Sequence, residues 1–391
     1  MWQKNYQYDS VEDAIRGLRA VAAEIGSREY FDGLFVIFAG GICQKEVKKL
    51  TDAMDEVFPE IKRAGMSEFY NGGDTGEKRI KLNLTLSDTS RFSVFQFPCE
   101  PGGEREAAWQ LRQRMEEISD IKCIGLFPSG MALNITEFLE SATEGREEVP
   151  VFGAMAAVIP QLPGEEAEDM ERYCIGESLT HSGITAVVFA GSELQVSMDY
   201  ILGWQPLGKE MTVTLGEPGE LGEGCIRLID GKPAVDIYKK YFGVEWDENF
   251  VWNICEFPLM IRRNDTDICM VPITKGEEGE LYICGPIKEG ETLRFSYGTW
   301  EEIVGASRTG SLKMAEFEPD SVFLSLCGNR INYLREDAHL EWDFFRAKFP
   351  ELVYCHGQYE IAWQHRKGGV LNSSFIAVGM KEGEGQNEVE M

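Results

Sequence analysis

Apolar residues in this chain fall in two rhythms. Near the N-terminus Val11, Ile15, Leu18 and Val21 recur every three to four residues, which places them on one face of a helix, and Asp9 or Ser10 stands where its N-cap belongs. Elsewhere the apolar runs are short and almost unbroken, as in GITAVVFAG (183–191), VFLSL (322–326) and FIAVG (375–379), the pattern of strands buried on both faces.

Strung together, these elements repeat. The first half predicts strands at 79–86 and 91–97, a helix at 103–118, a strand at 123–134, a helix at 136–143, a strand at 149–158 and a strand at 183–191. The second half predicts the same order: strands at 279–287 and 292–297, a helix at 299–317, a strand at 322–334, a helix at 336–349, a strand at 352–363 and a last strand at 373–380. Even the turns rhyme, GMALN against GNRIN. The expectation is an α/β fold built from two related modules, with helices packed on mixed sheets. A chain of 391 residues exceeds what one core organises, in agreement with two modules. The boundaries are set at 1–201, 202–380 and an acidic flexible tail, 381–391. Between the modules MTVTL and CIRLI read as strands, GEPGELGEG as a solvated turn, and PAVDIYKKYFG as a short helix that Gly243 ends.

Several polar residues interrupt the apolar strands near their ends: Arg330, His356, Glu360 and Asn372. In open α/β sheets, ligands gather where strands end and loops diverge. Arg330 offers a five-donor fork suited to a carboxylate and Glu360 an acceptor suited to an ammonium, so together they complement a zwitterion. The alternative is a structural ion pair between the two. Asn372 and Ser374 read either as turn caps or as the rim of such a site. Trp204 and Pro206 are expected to pack the junction between modules.

Charge and cysteine usage narrow the class. Lys and Arg number 38 against 66 Asp and Glu, a net charge of −28, and there is no basic cluster to hold a phosphate backbone. Nucleic acid is excluded as a partner, and the same field repels an anionic membrane. The longest apolar runs, such as GLFVIFAGG, fall far short of a membrane span, and the N-terminus lacks the apolar core of a signal peptide, so a cytoplasmic protein is expected. The acidic stretches PGEEAEDME and GEEGE read as solvated loops. Ten cysteines, never two within four residues, read as free thiols in a reducing compartment, not as a metal site. The chain has no G-x-S-x-G, H-E-x-x-H or G-x-G-x-x-G signature, and FPSG (127–130) is too short for a phosphate loop. Cys355 and His356 adjoin on one strand and so point to opposite faces. No catalytic residue and no hydrolysis are expected.

GWQPLG, LIDGKPAVDIYKKYFG, the FPL segment and the motifs after them resemble the FIST family, bacterial ligand-sensing domains with paired N- and C-terminal parts. Cys327 and Arg330 match its C-x-x-R, Glu360 and Ile361 its G-x-x-x-x-G-E-[IL], and Asn372 and Ser374 its hN-x-T. The two motif glycines are replaced by Tyr354 and Tyr359, and threonine by serine. Gly65, Met66 and Ser67 stand for the family's G-C-S-T-x-G, while Gly153 and Ala156 match its p-v-x-G-G-x-A. The resemblance implies a sensory module without catalysis, binding a small molecule such as an amino acid or small carboxylate. Its partner would be a histidine kinase, a diguanylate cyclase or a chemotaxis-type output protein, in two-component or cyclic-di-GMP signalling. The implied ligand residues are Arg330, Glu360, Asn372, Ser374, Cys327, His356, Gly153 and Ser67. No cofactor or metal is expected. An alternative within the family is a haem-binding nitric oxide sensor with His356 as axial ligand, and a Cys/His hydrolase is the third reading.

Overall fold

A computed structural model describes residues 1–69, 79–130, 132–157, 172–218, 224–245, 247, 249–254, 256–283 and 285–383. The acidic stretch 163–171, the turn centre 219–223 and tail residues 384–391 lie outside them.

One unit, strand–helix–strand–helix–strand–strand, occurs three times. The first comprises β1 (Trp2–Tyr8), α1 (Val11–Ile25), β2 (Asp32–Gly40), α2 (Gln44–Val57), β3 (Lys62–Glu68) and β4 (Ile80–Ser87). The second comprises β5 (Arg91–Pro98), α3 (Glu104–Glu116), β6 (Ile121–Ser129), α4 (Ile135–Ala142), β7 (Val151–Ala154), a small hairpin β8 (Cys174–Ile175) and β9 (Leu179–Thr180), and β10 (Gly183–Ala190).

The third starts with β11 (Leu194–Ile201) and is then interrupted by an insert. The insert contains β12 (Gln205–Pro218), β13 (Gly224–Ile229), β14 (Lys232–Pro233), α5 (Ala234–Phe242), α6 (Phe250–Ile254), β15 (Leu259–Arg263), β16 (Thr266–Met270), β17 (Pro272–Lys275), β18 (Leu281–Ile283) and β19 (Thr292–Tyr297). The unit resumes with α7 (Trp300–Phe317), β20 (Ser321–Cys327), α8 (Gly328–Leu334), α9 (His339–Arg346), β21 (Val353–Gly357), a hairpin of β22 (Glu360–Gln364) and β23 (Lys367–Leu371), and β24 (Phe375–Glu382).

The three sheets share one strand order: β1-β4-β2-β3, β5-β10-β6-β7 and β11-β24-β20-β21. In each, one pair is parallel (β2/β3, β6/β7, β20/β21) and the other neighbours are antiparallel. The α/β class with mixed sheets is therefore as expected, but the repeat is threefold. Strand 79–86 closes the first unit and does not open the second. Segments 279–287 and 292–297 belong to the insert, whose antiparallel sheet runs β16-β15-β19-β12-β13-β18-β17.

Packing explains why the runs are so apolar. Each sheet covers its outer face with its own helices: α1 and α2, α3 and α4, α7 and α9. The inner faces meet one another, so β2, β4 and β10 are buried along their whole length. The rings of Phe38 (β2), Phe127 (β6) and Phe323 (β20) close a triangle with centroid separations of 5.9, 6.0 and 6.1 Å, one ring from each unit. The helices start and stop on local chemistry. The Ser10 hydroxyl accepts from the Asp13 amide, Thr299 and Glu302 form a capping box, and Gly243 ends α5 at φ +67°.

Two predicted strands break. The 322–334 segment leaves β20 at Cys327 and coils into α8, so Arg330 lies on a helix. The 352–363 segment divides: β21 belongs to the third sheet, while β22 crosses to pair with β7 of the second. Likewise β8 of the second unit pairs with β3 of the first, Met66 opposite Cys174. The Phe69 amide, leaving β3, donates to the His356 carbonyl on β21 of the third unit at 2.8 Å. Each unit thus reaches from the end of its third strand to a neighbour, and the three links close a ring. Although residue 201 marks the exit from β11, both sheets two and three draw strands from either side of it.

Candidate functional site

The interlocked strand ends carry the polar residues that the interior would otherwise exclude. Glu360 opens β22, opposite Ala154 of β7 and Leu371 of β23, and is fully buried. One carboxylate oxygen, Oε2, accepts from the Ser374 hydroxyl at 2.9 Å. The other, Oε1, is buried with no hydrogen-bond partner among the described residues. Burial pushes this carboxyl up to about 8, while the Ser374 hydroxyl and amide, the charge on Arg330 and the Cys327 thiol pull in the opposite direction. Near neutrality it can therefore either donate a hydrogen bond or, on losing its proton, accept an ammonium.

Arg330 does not meet Glu360 in an ion pair. Its Nε donates to both oxygens of Glu341 (3.1 and 2.9 Å). Nη1 donates to the carbonyls of Leu202 (2.6 Å) and Ser373 (2.8 Å), and Nη2 to Glu341 and to the Ser307 hydroxyl (3.4 Å). All five N–H groups are used within the protein. The structural ion pair with Glu360 considered from sequence is not formed; Arg330 pairs instead with Glu341 of α9. Trp204, at the root of the insert, lies 5.2 Å from the guanidinium and 5.6 Å from the Tyr333 ring of α8, so it packs within the third unit and not between the two modules expected from sequence. Arg330 consequently ties α7, α8, α9, the insert's root and the Ser373–Ser374 turn into one rigid node.

The remaining predicted residues divide between this node and its surroundings. Cys327 ends β20, and its amide donates to the Ser374 carbonyl at 3.2 Å. Asn372 is buried and borders a recess of about 20 Å³ with Met270 and Gly285 of the insert. Ser67 is spent on the link between units: it accepts from the Tyr173 amide and donates to the Ala157 carbonyl, both at 3.1 Å. Gly153 has φ +151°, and a Cβ there would lie 1.9 Å from the Leu126 carbonyl oxygen. Gly65 repeats that geometry in the first unit, at φ +153° and 1.9 Å from the Ile37 carbonyl oxygen. Both glycines are required by backbone approach, so their contribution is to strand pairing. Tyr354 takes the corresponding register in β21, opposite Leu324, and uses its side chain to stack on Trp342 at 5.3 Å.

His356 is fully buried, edge-on to Trp342 (5.3 Å) and to Tyr354 (5.7 Å). A haem held at this ring would have to displace both aromatics, so the residues present do not fit that group. Cys355, as predicted, faces the other way, into the central core, and burial drives its thiol well above the ordinary range. The two do not form a nucleophile–base dyad. Among the described residues no group of acidic, cysteine or histidine side chains is arranged to hold a metal, and eight cysteines are free thiols.

Three charged residues of this region were not singled out from sequence. Glu341 sits with Ala338, Trp342 and Phe345 on the buried stripe of its helix, and that i, i+3, i+4, i+7 register was a usable signal. Lys81 (1% exposed) pairs with Glu68 (2% exposed) at 3.0 Å, and Glu68 also accepts from the His356 amide at 3.2 Å. Lys81 lies 3.9 Å over the Tyr354 ring. Its strand alternates Lys81, Asn83, Thr85, Ser87, a pattern that imitates a solvent face.

The chain matches the FIST N domain over residues 33–232 and the FIST C domain over residues 234–360. No curated protein matches it. Among solved structures it is similar to a cyanuric acid hydrolase from A. caulinodans, at 13% identity, covering 98% of this chain and 99% of that one, with a TM-score of 0.36.

Proposed function

The chain belongs to the FIST family, whose domains are small-molecule sensory modules in signal transduction, and from that premise we propose that it senses an amino acid at the Glu360 end of β22. The observation that carries the reading is the unpartnered oxygen of Glu360. A buried carboxyl with one orphaned oxygen is costly to fold, and it persists where a ligand completes it. The ligand's ammonium takes Oε1, with Ser374, Cys327 and Asn372 around it. Arg330 is a positioning residue here, because its donors are already committed.

The same node gives the bound state a way out. The Ser374 hydroxyl holds Glu360, the neighbouring Ser373 carbonyl holds Arg330, and Arg330 holds the Leu202 carbonyl where the chain enters the insert. Occupancy at Glu360 is passed along that line to the insert and then to a separate output protein in the cytoplasm, of the histidine kinase, diguanylate cyclase or chemotaxis type. No helix among the described residues is long and apolar enough to cross a membrane. A thermal-shift screen of the twenty amino acids against the full chain tests the proposal. Stabilisation by at least one amino acid, lost in Glu360→Gln, supports it; an unchanged shift in that variant refutes it.

A further inference from the structure

A second cleft, remote from Glu360, is formed where β5 passes the end of α3. It has a volume of about 420 Å³, within the range of small-molecule sites, and Phe95, Ile118 and Ala190 line its apolar part. Two arginines enter it, Arg91 from β5 and Arg114 from the last turn of α3. Many guanidiniums in this acidic protein are taken up by carboxylates: Arg63, Arg105, Arg227, Arg263 and Arg366 each hold one within 4 Å. Among the described residues Arg91 and Arg114 hold none, although Glu117 and Asp120 line the same cleft. The helix dipole accounts for a cation at the position of Arg114 but not for Arg91. Phe31 completes the rim: its ring is 55% exposed, with the Arg91 guanidinium 5.6 Å from its centroid.

We propose that this cleft binds a hydroxylated aromatic acid. The carboxylate takes the two uncommitted guanidiniums, the ring lies against Phe31 and Phe95, and the phenolic hydroxyl donates to Glu117 or Asp120. The two carboxylates make a second anionic group unwelcome, so the site selects a single negative charge on a flat, apolar body. The site is independent of the Glu360 reading and shares no residue with it.

Calorimetric titration of the full chain with 4-hydroxybenzoate tests this, with acetate as an anion without a ring and benzyl alcohol as a ring without a charge. Binding of 4-hydroxybenzoate about tenfold or more tighter than either control is expected, in proportion to a charge-assisted hydrogen bond. Arg91→Gln and Arg114→Gln should each weaken it about tenfold, and Phe31→Ala should erase the preference over acetate; all three residues are exposed at the surface, and circular dichroism verifies that the variants fold. Glu360→Gln should leave it unchanged. The proposal is overturned if 4-hydroxybenzoate does not bind up to about 10 mM, a limit near −2.7 kcal/mol, if acetate binds as well, or if the arginine variants bind like the parent.

Discussion

Arg330 is joined to Glu341 by paired hydrogen bonds in an interior where each is 1% exposed, and none of its donors is left for Glu360. An arginine that looked like a ligand anchor is therefore the fastener beside the site. The difference is measurable, because a fastener acts without ligand. Arg330→Met leaves the Glu341 carboxylate buried and uncompensated and should cost about 3–5 kcal/mol in urea unfolding of the unliganded protein. Arg330→Met combined with Glu341→Met should recover most of the loss, whereas a loss below about 1 kcal/mol in the single variant would show that the node is not structural.

Glu360 gives a pH signature. Its carboxyl is raised from 4.5 to about 8 in the folded protein, chiefly by burial. The folded chain thus keeps a proton that the unfolded chain releases, and this group's contribution, fully present below pH 4.5, is lost as pH rises through about 8. Glu360→Gln cannot titrate. Relative to the parent, the variant should gain stability steadily between pH 5 and pH 8, read from urea midpoints at several pH values; parallel curves would mean that Glu360 is ionised at pH 7.

The two glycines with matched geometry should be equally intolerant. Gly153→Ala places a methyl group against the Leu126 carbonyl and Gly65→Ala against that of Ile37, each 1.9 Å away. Each should destabilise by about 3 kcal/mol or more, or prevent folding, as seen by soluble yield and thermal melting. Gly102→Ala, at φ +88° but with nothing within 4 Å of the added methyl, should have a much smaller effect.

Lys81 and Glu68 form a second interior ion pair. Lys81→Met alone removes the cation facing the buried Glu68 charge and should cost about 3–5 kcal/mol, and Lys81→Met with Glu68→Leu should restore most of it. A single variant as stable as the parent would mean that other groups satisfy Glu68.

The sequence revealed elements better than their assembly. Strands and helices could be read because each sheet is buried on both faces and its helices on one, leaving continuous runs and 3.6-residue stripes respectively. Two of the three repeats were visible. The first was missed because its opening strand, Trp2–Tyr8, is only half-buried and its residues lack an apolar run. The third was misaligned because the insert separates β11 from α7, so TLRFSY stood in for β11. Glu360 and Ser374 could be picked out as polar residues in apolar company, and the structure brings them into contact. Glu341 could be recognised on the apolar stripe of its helix, but its pairing with Arg330 could not, because an Arg–Glu pair eleven residues apart across two helices leaves no periodic trace, and β20 ends where α8 begins without any proline or glycine-rich break.

The free oxygen of Glu360 is the proposed ligand contact, and direct titration tests it. The amino acid giving the largest thermal shift is titrated calorimetrically into the parent, Glu360→Gln and Arg91→Gln, the last as a control in the other cleft. One ligand should bind per chain, and at a free concentration about 100 times its dissociation constant it should stabilise the native state by roughly 2.7 kcal/mol. Affinity should fall at least about tenfold in Glu360→Gln and stay unchanged in Arg91→Gln. Equal affinity in the parent and Glu360→Gln, or no binding by any of the twenty amino acids, would contradict the assignment.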